Sequence, residues 1–152
     1  MGHPARLPRK LFRFLRVSSR ERRDLLAALG ALLWARRAMR DRATGDLVAL
    51  HEGQDATAPV DLPRARALAR AVVRVAAYLP FDASCLIRSL AIQRLFAREG
   101  MPPGQIRIGV RIDEVEGFQA HAWVEVEGRV VGDVPQHVST FTPVTDMTAI
   151  RF

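Results

Sequence analysis

The stretch Pro80-Phe-Asp-Ala-Ser-Cys-Leu-Ile-Arg-Ser-Leu-Ala-Ile-Gln-Arg-Leu-Phe-Ala-Arg-Glu-Gly100 constrains the fold more than any other part of the chain. Its Leu86, Ile87, Leu90, Ile92, Leu95 and Phe96 leave no clean polar side on a helical wheel. A helix apolar nearly all round has to be buried, so this one is the centre of a domain. Pro80 closes what precedes it, and Asp82 or Ser84 can cap the new helix by accepting a hydrogen bond from a free backbone N–H. Gly100 sits just past the last turn, with Pro102 and Pro103 beyond, where a helix stops. The same stretch holds the only cysteine, Cys85, in the first helical turn. There the positive end of the helix dipole favours a thiolate and nucleophilic chemistry.

Upstream, Ser18-Ser-Arg-Glu21 has the spacing of a capping box. The helix it opens places Leu25, Leu26, Leu29, Leu32, Leu33 and Met39 inward and Arg22, Arg36, Arg37 and Arg40 outward. Gly30 weakens that pattern. Residues 41 to 60 read as a long connection, with a short element at Leu47 to Leu50. Asp61 caps a second helix over Leu62 to Leu79, whose inner stripe is Leu68, Val72, Val75, Ala76 and Leu79. Its arginines, Arg64, Arg66, Arg70 and Arg74, form an outer, solvated stripe. Residues 1 to 17 are a basic, partly apolar arm, 18 to 80 the helical part and 81 to 152 the core of a single domain. With 152 residues the chain can bury that core without staples.

After Gly104 the period changes to two. Ile106, Ile108, Val110 and Ile112 alternate with polar residues and glycine, as in a half-buried strand. Phe118 to Glu125 alternates again, with Gln119, His121, Trp123 and Glu125 on one face, and Arg129 to Asp133 is the next strand. Helices followed by an antiparallel sheet make the fold α+β. If Val126-Glu127-Gly128 is a three-residue loop, Glu125 faces Arg129, Trp123 faces Val131 and His121 faces Asp133. The opposite charges of the first pair favour this register. A two-residue loop sends His121 and Asp133 to opposite faces. With the buried helix packed on the His121 face, Cys85, His121 and Asp133 converge as nucleophile, base and orienter.

The net charge of +7 is spread over helices in arginine-rich fashion, which suits an anionic partner better than nucleic acid. No glycine-rich phosphate loop and no zinc-ligand spacing occur, so no metal or organic cofactor is expected. The uncharged run Leu25 to Ala35 is too short to span a bilayer. One cysteine suits a reducing compartment, and the location expected is cytoplasmic. The arm, the arginine stripe and the edge of the Ile106 strand are the candidate partner surfaces.

Phe81-Asp-Ala-Ser-Cys85-Leu-Ile-Arg-Ser-Leu-Ala91, Ile108-Gly-Val110, Ala120-His-Ala-Trp-Val-Glu125 and Gly128-Arg-Val-Val-Gly-Asp133 together resemble the transglutaminase-like leader peptidases of lasso-peptide biosynthesis, over about residues 78 to 145. The resemblance implies a papain-like, transglutaminase-like α+β fold with a catalytic Cys85, His121 and Asp133. It also implies a cysteine peptidase that removes the leader from a lasso-peptide precursor. Because the first eighty residues read as helices and a loop, it implies the split form, which needs a separate leader-recognition protein. The precursor peptide is then a second partner and the lasso cyclase a third candidate. Gln119 and Trp123, flanking His121, are candidates for lining the substrate cleft. The oxyanion hole would use the Cys85 N–H; its second donor is unassigned, since the only upstream glutamine, Gln54, is remote. A transglutaminase-like acyltransferase and a non-catalytic peptide-binding scaffold are the rival readings.

Overall fold

A computed structural model describes residues 17–41 and 59–144. The basic arm up to Arg16, the element at Leu47 to Leu50 and the terminal Ile150 and Phe152 lie outside the described residues. Among the described residues three long helices come first: α1 (Ser19–Asp41), α2 (Leu62–Ala76) and α3 (Cys85–Arg98). β1 (Gln105–Asp113), β2 (Gly117–Val126) and β3 (Arg129–Val131) follow, then the short α4 (Pro135–Val138) and β4 (Thr142–Pro143). The strands form one antiparallel sheet in the order β3-β2-β1-β4. This is the α+β arrangement expected, with the Cys85 helix packed on an antiparallel sheet.

The helix ends follow local chemistry. Ser18 Oγ accepts the Glu21 N–H at 3.2 Å and Asp61 Oδ1 accepts the Arg64 N–H at 3.0 Å. Caps of this kind contribute about 1 kcal/mol each. Glu21 does not reach back to complete a capping box; its carboxylate pairs with Arg74. Gly100 adopts φ +67°, and the Met101 N–H reaches the Phe96 carbonyl at 2.9 Å. That is the wrap of a Schellman stop, which a residue with a Cβ adopts only at a cost. Helix α1 runs unbroken through Gly30.

One core joins the three helices to a single face of the sheet. Leu25, Ala28, Leu32, Leu68, Val72, Leu90, Leu95 and Phe96 pack with Val124, Val126 and Val131. The inner face of α1 is narrower than the sequence suggests. Leu26 and Leu33 are 63% and 49% exposed, while Ala28, Ala31 and Ala35 are buried. Alanine lets neighbouring backbones approach, and the leucines on either side are displaced from the contact. Gln93, also buried, bonds both backbone groups of Gly104. No side chain fits at Gly104, where a Cβ would lie 2.7 Å from Val124 and 2.9 Å from the Glu125 carbonyl.

Arg64 departs from the solvated stripe. Its guanidinium donates to both Asp24 oxygens at 2.6 and 2.8 Å and to the Glu99 carboxylate. The side chains of Arg64 and Asp24 are 10% and 12% exposed. Position 64 falls where α2 crosses between α1 and the end of α3, so the residue bridges three helices. Arg66, Arg70 and Arg74 remain exposed.

Candidate active site

The β2–β3 turn sets the geometry of the site. It is a two-residue loop, Glu127-Gly128, and both residues have positive φ (50° and 71°). This is the primed hairpin turn whose twist matches the flanking strands. The pairs are Val126 with Arg129, Glu125 with Val130 and Val124 with Val131. The expected register, with Glu125 opposite Arg129, is therefore off by one. Strand alternation alone would then turn Asp133 away from His121. Gly132 reverses that outcome. At φ +76° it breaks the pleat directly after β3, in a place where a Cβ would lie 2.8 Å from Ile92 and 3.2 Å from Ala69. The chain jogs by one residue, and Asp133 comes back to the His121 side.

His121 Nε2 lies 2.6 Å from Asp133 Oδ2. A carboxylate only accepts, so Nε2 carries the proton and Nδ1 keeps the lone pair of the neutral ring. The other carboxylate oxygen, Oδ1, accepts the Val134 N–H at 2.7 Å, which fixes the carboxylate plane. His121 and Asp133 side chains are 11% and 18% exposed. The ring is also held by aromatic neighbours. Trp123 stacks at 6.1 Å and 22°, Phe141 tilts against it at 5.1 Å, and His137 meets it edge-on at 5.0 Å.

Two of these neighbours, Trp123 and Phe141, form with Val138 a second, smaller cluster, on the face of the sheet turned away from the helices. The helices therefore do not pack on the His121 face. The alternation that gives Val124 and Val126 to the helical core gives His121 and Trp123 to the other side. The segment from Asp133 to Pro143 leaves the β3 edge, crosses this second face and joins β1 through β4. On its way it delivers Asp133, His137 and Phe141 to His121.

Cys85 is the first residue of α3, one position after the cap Ser84, whose Oγ accepts the Ile87 N–H at 3.4 Å. It is half-buried, and its neighbours Ala83, Leu86 and Ile87 pack on the helical core. Among the described residues its sulfur forms no hydrogen bond. The structure thus brings His121 and Asp133 together and sets Cys85 in the helical layer. Gln119 is half-buried, accepting from Arg111 Nε at 2.7 Å and donating to Glu116. Trp123 is only 3% exposed, and its Nε1–H donates to Glu125 at 2.9 Å. Trp123 thus packs against the imidazole and leaves little surface to line a cleft. Nothing in the sequence singles out His137 and Phe141, since their segment lacks a clear period. Among the described residues no group of His, Cys, Asp and Glu could hold a metal, and no helix is long and apolar enough to cross a membrane.

Residues 25–146 match the transglutaminase-like superfamily. The chain belongs to that superfamily. The match runs from α1 to just past β4 and so takes in the helical layer, the sheet and the strap that carries Asp133. No curated protein and no solved structure matches the chain. Members of this superfamily are typically thiol enzymes of the cysteine-protease or acyltransferase type.

Proposed function

We propose that this transglutaminase-like protein is a cytoplasmic cysteine peptidase that removes the leader from a lasso-peptide precursor, working with a separate leader-recognition protein. The observation that carries the reading is the His121–Asp133 contact, made through Nε2 so that Nδ1 is left to serve a thiol. The motifs around Cys85, His121 and Asp133 support the narrower substrate.

In this reading the Cys85 thiolate attacks the scissile carbonyl carbon, and the tetrahedral oxyanion collapses to a thioester as the C–N bond breaks. The proton that His121 took from the thiol goes to the leaving amine. Water then gives a proton to His121 and attacks the thioester, releasing the leader carboxylate and restoring the thiol. Asp133 keeps the imidazole in the Nε2–H tautomer and stabilises the imidazolium form between these steps. The Cys85 backbone N–H, at the start of α3, has no carbonyl one turn back and is free to face the oxyanion.

The test incubates wild-type and Cys85→Ala protein with precursor and recognition protein and reads the products by mass spectrometry. The wild type should yield two peptides and the variant none, since loss of a covalent nucleophile costs about 10⁶-fold in triad enzymes. Cleavage by the variant at the wild-type rate would refute the reading. A new conjugate in place of two peptides would make the protein an acyltransferase.

A further inference from the structure

β2 has ten residues and β3 has three. The sheet therefore has an edge beside the dyad that β3 does not cover. In a two-residue hairpin the residues flanking the turn exchange both backbone bonds, so Val126 and Val124 aim their N–H and C=O groups at β3. By the two-residue period Ala122, Ala120 and Phe118 aim theirs the same way. Among the described residues no strand takes them up.

The edge also lacks the features by which proteins guard against strand pairing. Its open outward-bonding residues are Phe118 and Ala120, with no proline, no charge and no bulge; Ala122, next along, is buried. Phe118 is 71% exposed, and Ile112, opposite it on β1, is 86% exposed. Both side chains lie on the helix side of the sheet, past the part that the helices cover. The hairpin tip beyond them is acidic, with Asp113, Glu114 and Glu116 in one turn. Backbone N–H groups of Glu116 and Val115 bond the Asp113 carboxylate at 3.0 and 2.9 Å and hold it ionised. His121 lies on the same strand, between Ala120 and Ala122.

We infer that the outer edge of β2 takes up an extended peptide as an added strand, with apolar side chains at alternate positions against Phe118 and Ile112 and a lysine or arginine beside the Asp113–Glu116 turn. Main-chain bonds supply the grip and alternate side chains the selectivity. The inference rests on the peptidase reading and adds how the substrate chain is led past His121.

The test selects binders from a displayed library of random dodecapeptides on the Cys85→Ala protein, so that binding is read without turnover. Enriched sequences should alternate apolar residues and carry a basic one. Adding Ala120→Pro removes one outward N–H without touching the bonds to β1, and should weaken these peptides by about tenfold or more at an unchanged melting midpoint. Phe118→Ser leaves the backbone intact and should relax the apolar preference; it decides the matter if Ala120→Pro lowers the midpoint. Failure to enrich any peptide, or equal affinity in both variants, overturns the inference. So does a wild-type dimer that Ala120→Pro converts to monomer, since a second copy would then own the edge. None of these outcomes bears on whether Cys85 is needed for cleavage, so the two readings fail separately.

Discussion

Asp133 has both carboxylate oxygens engaged, one by His121 and one by the Val134 N–H. Asp133→Asn keeps the shape but offers an amide that can present N–H to Nε2 and stabilise the wrong tautomer. Turnover should fall on the order of 10⁴-fold, as for the equivalent change in a Ser-His-Asp triad, with the circular dichroism spectrum unchanged. Gly109 makes a second prediction. It stands opposite His121 in the β1–β2 pair, and a Cβ there would lie 2.8 Å from Phe141 and 2.9 Å from Trp123. Gly109→Ala should push both rings off the imidazole and lower stability by about 1–3 kcal/mol in a urea titration. The His121–Asp133 partnership was legible in the sequence, but through a register the molecule does not use. The acidic Glu125 and basic Arg129 pointed to a three-residue loop, whereas the chain places Glu127 at positive φ and corrects the face at Gly132. A glycine whose φ decides which way the next side chain turns leaves no periodic trace.

At the level of elements, the bridge formed by Arg64 holds α1, α2 and the end of α3 in register. Arg64→Ala would leave Asp24 and Glu99 without their cation, and breaking the largely buried pair with Asp24 costs about 3 kcal/mol, with little added from the more exposed Glu99. Chemical denaturation should show that loss. Arg64→Lys should recover only part of it, because an ammonium cannot serve two carboxylates with a planar fork. Sequence periodicity assigned Arg64 to the same exposed stripe as Arg66, Arg70 and Arg74. Periodicity gives the side of a helix, but not which turn of that side another element covers. The central helix was legible for the opposite reason: when nearly every position is apolar, no choice of face remains to be made. Its cap, its glycine stop and its buried core positions all follow from that one property.

For the molecule as a whole, two carboxylates carry a pH dependence of stability. Arg64 holds the Glu99 carboxyl below the usual carboxylate range, and backbone N–H groups do the same for Asp113. A group whose folded-state affinity for protons is reduced stabilises the fold above the ordinary carboxylate range and loses that contribution as acid protonates it. Melting midpoints should therefore fall on acidification through this range, and Glu99→Gln should flatten the fall while lowering the midpoint near neutrality. On the proposed reading α3 supplies the nucleophile Cys85, β2 the base His121, and the strap from β3 to β4 the orienting Asp133. In that reading the three side chains act as one unit, with His121 serving the Cys85 thiol. Because the chain has a single cysteine, carbamidomethylation by iodoacetamide at pH 6 reports on that thiol alone. Wild-type protein should react at least about tenfold faster than His121→Ala, since an imidazole partner takes up the thiol's proton and frees the sulfur to attack. Equal rates in the two proteins would mean that His121 does not serve Cys85.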